Sequence, residues 1–135
     1  MPESLSNSMH AKRVIITGGN SGIGFEAAVA LARLGADVTI ACRNPQRAEA
    51  ARTAIVERSA SDRVDVMQLD LADFASIRSF AAVASERFDR IDVLLNNAGL
   101  VSRSRALTAD GFELTFGTNH LGPFLLTSLL LDQII

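Results

Sequence analysis

Tyrosine and tryptophan are absent from this 135-residue chain, and lysine and cysteine occur once each, as Lys12 and Cys42. Each absence excludes something. One cysteine leaves no disulfide framework and no multi-cysteine zinc site. Without tyrosine there is no phenol for acid or base chemistry. With lysine confined to position 12, no glycine-rich segment is followed by the lysine that a P-loop needs. A large excess of positive charge is missing too. Thirteen basic against fifteen acidic residues give a net charge of −2, so there is no electrostatic footprint for nucleic acid. The first ten residues are polar and lack the apolar core of a secretory signal. The longest apolar stretch, Leu121 to Ile135, is interrupted by Gly122, Pro123 and Asp132. It falls short of the roughly 20 residues a membrane span requires and reads as a buried helix. The expectation is a cytoplasmic protein without a membrane span.

The length suits one domain, and with 48% apolar and 21% charged residues the composition is that of an ordinary folded chain. Residues 1–11 read as a flexible tail and residues 12–135 as the domain. Short β-branched runs alternate with longer helical patterns. Val14–Ile16 reads as a buried strand closed by Thr17-Gly18-Gly19, and Gly22–Leu34 as a helix stopped by Gly35. Val38–Ala41 is a second strand. Asn44 and Pro45 open a second helix reaching about Arg58, in the places where a capping side chain and a residue without an N–H are favoured. Val64–Leu69 is a third strand, and Asp73 caps a helix to about Phe88. Ile91–Leu95 is a fourth strand, residues 100–110 a loop, and Gly111–Leu131 a last helix with a bend expected near Gly122–Pro123.

The order β-α-β-α-β-α-β-α predicts an α/β fold, a doubly wound parallel sheet of Rossmann type with right-handed crossovers. Ligands of such sheets sit beyond the carboxyl ends of the strands. That directs attention to residues 17–24, 42–44, 70–71 and 96–99. Thr17-Gly18-Gly19-Asn20-Ser21-Gly22-Ile23-Gly24 lies between a strand and a helix. Glycines there allow a sharp turn and close approach, and the opening amides of the helix can face a pyrophosphate. Read without that context, the same residues are a turn of small side chains. At the end of the second strand, where recognition of a ribose 2′-hydroxyl requires an acid, stand Cys42, Arg43 and Asn44. Asp37 is at the strand's other end. Arg43 offers a planar fork for a 2′-phosphate, which predicts NADP(H), with NAD(H) second. Cys42 reads as a buried filler.

Thr-Gly-x-x-x-Gly-x-Gly resembles the nucleotide loop of the short-chain dehydrogenases/reductases. Asn96-Asn97-Ala98-Gly99, beginning 72 residues after Gly24, resembles their second signature. Asp110 through Thr127 is similar to the retinol dehydrogenase-like branch, which includes the WW-domain oxidoreductase. The resemblance is nearly continuous over residues 12–131. It implies cofactor contacts from Thr17, Gly18, Asn20, Ser21, Gly22, Ile23, Gly24, Arg43, Asn44, Asp70, Leu71, Asn97, Ala98 and Gly99. In it Asp70 receives the adenine amino group, and residues 97–99 line the path from adenine ribose to nicotinamide. Asn119 matches the asparagine of an Asn-Ser-Tyr-Lys tetrad, where it distorts the helix and holds a water in a proton relay. His120 is read as structural, and no metal is implied.

The family transfers hydride between a nicotinamide and a carbonyl or alcohol carbon. Its Ser, Tyr and Lys have no counterpart here, so the expectation is a Rossmann domain truncated after the fourth strand and its helix, inactive alone. Two readings stay open: the cofactor-binding portion of an oxidoreductase whose substrate is a small carbonyl or alcohol, or a non-catalytic nucleotide- or partner-binding module. The apolar run at Leu129–Ile135 favours the first. An unpaired fourth strand and the last helix predict self-association.

Overall fold

The computed structural model describes residues 7–135. Four strands, β1 (Arg13–Thr17), β2 (Asp37–Cys42), β3 (Val64–Gln68) and β4 (Val93–Leu95), form one parallel sheet in the order β3-β2-β1-β4. Helix α1 (Gly22–Arg33) connects β1 to β2, α2 (Pro45–Ser59) connects β2 to β3, and α3 (Phe74–Arg87) connects β3 to β4. Two-residue periodicity sends successive side chains to opposite faces. Val14, Ile16, Val38 and Ile40 pack with α1 and α2, while Ile15, Ala41 and Met67 pack with α3 and the last helix, α5 (Gly122–Ile134). The sheet is therefore covered on both sides, as its nearly continuous apolar strands require.

Local chemistry explains most boundaries. The Asn44 side chain accepts the Arg47 amide at 3.0 Å with Pro45 in the first turn, and α2 ends at Ala60 in the left-handed region at φ 57°. Asp73 accepts the Ala75 amide at 3.0 Å to open α3. Of the tail expected over residues 1–11, residues 7–11 form turns, with the Met9 amide donating to the Leu34 carbonyl at 3.0 Å. The rest of it lies outside the described residues.

Two boundaries differ from expectation. β4 begins at Val93 rather than Ile91, because the Ile91 amide leaves the ladder and donates to the Gln133 carbonyl of α5 at 2.9 Å. The last helix does not begin at Gly111, whose φ of +87° belongs to a turn closed by the Thr108 amide on the Phe112 carbonyl at 2.7 Å. It opens instead as a short turn, α4 (Leu114–Phe116), capped by Glu113. The Thr115 and Phe116 amides donate to that carboxylate and hold it below the usual carboxylate range. A π-helical turn, Gly117–Leu121, then leads into α5. The distortion thus lies just before Gly122–Pro123, with the π-helical turn running directly into α5 and Pro123 as its second residue.

Among the described residues, β4 pairs only with β1, so its outer edge carries no strand. No helix among them is long and apolar enough to cross a membrane.

Candidate functional site

β2 and β4 flank β1 on opposite sides, so the chain reverses its winding direction at β1. Beyond the carboxyl ends of such strands a parallel sheet has a crevice. Here it is a cleft of about 490 Å³. Its walls come from all four strand ends singled out by the sequence: Gly18, Asn20, Ser21 and Ile23 after β1, Arg43 and Asn44 after β2, Asp70 and Leu71 after β3, and Asn97, Ala98 and Gly99 after β4. Four other expected residues, Thr17, Gly22, Gly24 and Asn119, are not part of the wall.

Thr17 stands behind it. Its hydroxyl accepts the Asn97 and Ala98 amides at 3.0 Å each and donates to the Leu95 carbonyl at 3.4 Å. One donor and two acceptor positions are all a hydroxyl has. Thr17 therefore has nothing left for a ligand, and it joins the ends of β1 and β4. Asn97 completes the joint, its side-chain amide donating to the Thr17 and Gly18 carbonyls at 3.2 and 3.3 Å. Gly24 is buried against this joint. A β-carbon there would overlap the Asn97 amide nitrogen and come within 2.7 Å of the Gly18 carbonyl oxygen.

Gly22 is different. Its φ is +59°, and a β-carbon would meet no atom within 4 Å. Beside it Ser21 stands at the cap position of α1, with extended backbone and no side-chain capping bond. No side chain thus caps the opening amides of α1, and no acidic residue stands in the first turn. Such a helix terminus carries partial positive charge and suits an anion. These residues fit a pyrophosphate: donors at a helix start, an open approach, and no side chain competing for it.

At the end of β2, Arg43 is exposed and makes no ion pair among the described residues. The Asn44 side-chain oxygen is committed to capping α2. Cys42 is buried, and burial pushes its thiol up from the ordinary value against smaller opposing contributions from the Gly19 and Asn20 amides. It stays a thiol and packs as a small apolar group. Asp70 is half-buried. One of its oxygens accepts the Ala72 amide at 2.9 Å, and its own amide donates to the Ser76 hydroxyl at 2.9 Å. That leaves the second carboxylate oxygen available.

Asn119 lies on the π-helical turn, so the helix is distorted at that residue. Its side chain is engaged at both ends with the backbone of Leu100, donating to the carbonyl at 2.6 Å and accepting the amide at 2.8 Å. His120 is exposed and stacks on Phe116 at 5.1 Å.

The cleft also contains residues that sequence reasoning passed over: Arg47, Ala72, Leu100, Leu114 and Thr118. Arg47 had a visible signal, since it sits in the first turn of a helix starting directly after Arg43. Ala72 and Leu100 directly follow the expected Leu71 and Gly99, whereas Leu114 and Thr118 had no local signal, because only the fold brings the last helical segment to the wall. No group of three or more His, Cys, Asp or Glu among the described residues could hold a metal ion.

Known proteins share this arrangement. The family model for short chain dehydrogenase matches residues 12–135. Human retinol dehydrogenase 13 is 48% identical over 123 residues, covering 91% of this chain and 37% of that protein. The chain thus spans well under half the length of this relative. Among solved structures, an uncharacterized protein from Mycobacterium paratuberculosis superposes with a TM-score of 0.79 at 43% identity, over 95% of this chain and 46% of the other. A short chain dehydrogenase from Shigella flexneri, complexed with NADP, superposes with a TM-score of 0.76 at 26% identity, over 94% and 55%.

Proposed function

The chain belongs to the short-chain dehydrogenase family, and on that premise we propose that it forms the NADP(H)-binding portion of an oxidoreductase acting on a small carbonyl or alcohol. The observation that carries this reading is the pair of guanidinium groups, Arg43 and Arg47, on the cleft wall beyond β2, with no carboxylate between them. Asp37, at the opposite end of β2, is engaged by Arg63 at 3.3 Å and Arg13 at 4.0 Å. A 2′-phosphate would meet two cations, whereas a 2′-hydroxyl would find no carboxylate on the segment after β2 to accept its hydrogen bond.

In this reading the opening amides of α1 hold the pyrophosphate, Asp70 offers its free oxygen to the adenine amino group, and residues 97–99 line the way to the nicotinamide. The bound dinucleotide supplies a carbon that gives or takes hydride. Asn119 is the one tetrad position the chain contains, and its bonds to Leu100 hold the loop after β4 against the π-turn. No tyrosine is present, and Lys12 precedes β1, at the far end of the sheet from the cleft. The 135-residue chain is therefore expected to bind cofactor without turning over a carbonyl substrate.

Fluorescence titration with NADPH and NADH tests the cofactor. NADPH should bind more tightly, and Arg43→Ala should weaken NADPH by about 10- to 100-fold while leaving NADH nearly unchanged, as loss of a charged hydrogen bond worth roughly 1.5–3 kcal/mol implies. Tighter NADH binding by the unaltered chain would overturn the NADP reading.

The open edge of β4 supports a further expectation. Val93 is exposed beside it, as are Phe124 and Leu131 on α5. An uncovered strand edge with apolar surroundings templates pairing, so this chain should self-associate. Sedimentation showing a folded monomer at high concentration would count against that.

A further inference from the structure

Helix α3 opens beside the cleft wall, and its first amides need partners. Asp73 serves the Ala75 amide from within the helix's own cap. The Phe74 amide goes elsewhere, to the Asp110 carboxylate 36 residues away, at 2.8 Å. Alongside, the Ala109 amide donates to the Ala72 carbonyl at 2.9 Å, and the Phe112 ring lies 5.6 Å from that of Phe74. The turn that presents Asp110 is closed on itself, since the Thr108 amide donates to the Phe112 carbonyl and the Phe112 amide to the Thr108 hydroxyl at 3.2 Å. Its other side meets the π-turn: a β-carbon on Gly117 would overlap the Thr108 methyl. One closed turn thus touches Ala72 on one cleft wall and Gly117, next to Thr118, on another.

We propose that Asp110, which does not line the cleft, is a positioning residue: it clamps the turn at residues 108–112 onto the start of α3 and so keeps the wall at Asp70–Ala72 in register with the π-turn for nucleotide binding. The proposal rests on the cofactor reading above. Its mechanical content can be measured without a nucleotide.

Three variants separate positioning from simple stabilisation of α3. Asp110→Ala removes the clamp, Asp110→Asn keeps an oxygen that can accept the Phe74 amide, and Asp73→Ala removes a cap of the same helix without touching the turn. Amide hydrogen exchange without ligand, and calorimetric titration with 2′,5′-ADP, supply the readouts. Asp110→Ala should speed exchange at both Ala72 and Gly117 and weaken 2′,5′-ADP by about threefold to tenfold, the size expected for one lost hydrogen bond. Asp110→Asn should recover most of the affinity. Asp73→Ala should lower thermal stability yet bind as tightly as the unaltered protein. Equal loss of affinity in Asp110→Ala and Asp73→Ala, or faster exchange confined to the first turn of α3, would overturn the clamp. Failure of the unaltered protein to bind 2′,5′-ADP would instead remove the cofactor reading, with the exchange pattern still deciding whether the turn holds the two walls together.

Discussion

Replacing Thr17 by valine should cost the fold about 2–4 kcal/mol. The side chain is 1% exposed, and its oxygen is the acceptor for two amides, those of Asn97 and Ala98. Valine keeps the shape and removes the acceptor. A buried amide left without a partner loses roughly 1–3 kcal/mol, whereas losing both partners of a hydrogen bond together can be nearly neutral. In Thr17→Val the donors remain, so that penalty applies in full to the Ala98 amide and in part to that of Asn97. The Asn97 amide retains a bond to the Leu95 carbonyl at 3.0 Å, which keeps the total below the maximum. Urea unfolding followed by circular dichroism would give the difference directly. Thr17→Ser should recover most of the loss. If Thr17→Val unfolds at the same urea concentration as the parent, the hydroxyl is not what joins the two strand ends. A cofactor-contact role for Thr17 makes the opposite forecast, unchanged stability with weakened nucleotide binding.

The second large effect is expected at Gly24, and its sign runs against helix propensity. Gly24 is the third residue of α1, where alanine would ordinarily be favoured by about 1 kcal/mol. Here the added methyl would strike the Asn97 amide and the Gly18 carbonyl. The carbonyl belongs to backbone and cannot swing aside. Gly24→Ala should therefore destabilise by about 1–3 kcal/mol, the usual penalty for overpacking, and dislodge Asn97 from its bonds to Thr17 and Gly18. Because the loop it distorts carries the pyrophosphate amides, NADPH binding should fall at least tenfold. Gly22→Ala provides the contrast. There the space is open but φ is +59°, so strain of about 1 kcal/mol is expected without any clash. Thermal melts of the two variants, with and without NADPH, would check the order. Gly24→Ala melting at or above the parent temperature would contradict it.

These two positions mark how far the sequence could be read. The strands at Val14, Val38 and Val64 were legible because β-branched runs bounded by turn residues leave the backbone few alternatives. The starts of α2 and α3 were legible because Asn44 and Asp73 cap amides only two or three residues away. The same local reasoning gives the Thr17 hydroxyl two uses, tying the glycine loop together or donating to a phosphate, and the resemblance adds the ligand contact. It misjudged the onset of the last helix, because the long apolar pattern from Phe112 onward overlaps a turn that is held by Thr108 and capped by Glu113. Arg47 stands one helical turn beyond the strand end, and only the folded α2 brings it to the cleft beside Arg43. The side-chain commitment of Asn119 to Leu100 lies outside any local rule.

Periodicity, turn chemistry and capping act over a few residues, and by themselves they determined a parallel α/β sheet with its crevice at four strand ends. Which atoms face that crevice was decided only by the folded molecule. Pairing of Ile16 with Leu95 sets the end of β1 beside a segment some 80 residues later. Once that register exists, the Thr17 hydroxyl is consumed by Asn97 and Ala98 and Gly24 has no room for a methyl. The physical reason is that a hydrogen bond depends on distance in space, and distance in space between remote segments is a property of the sheet and its packing.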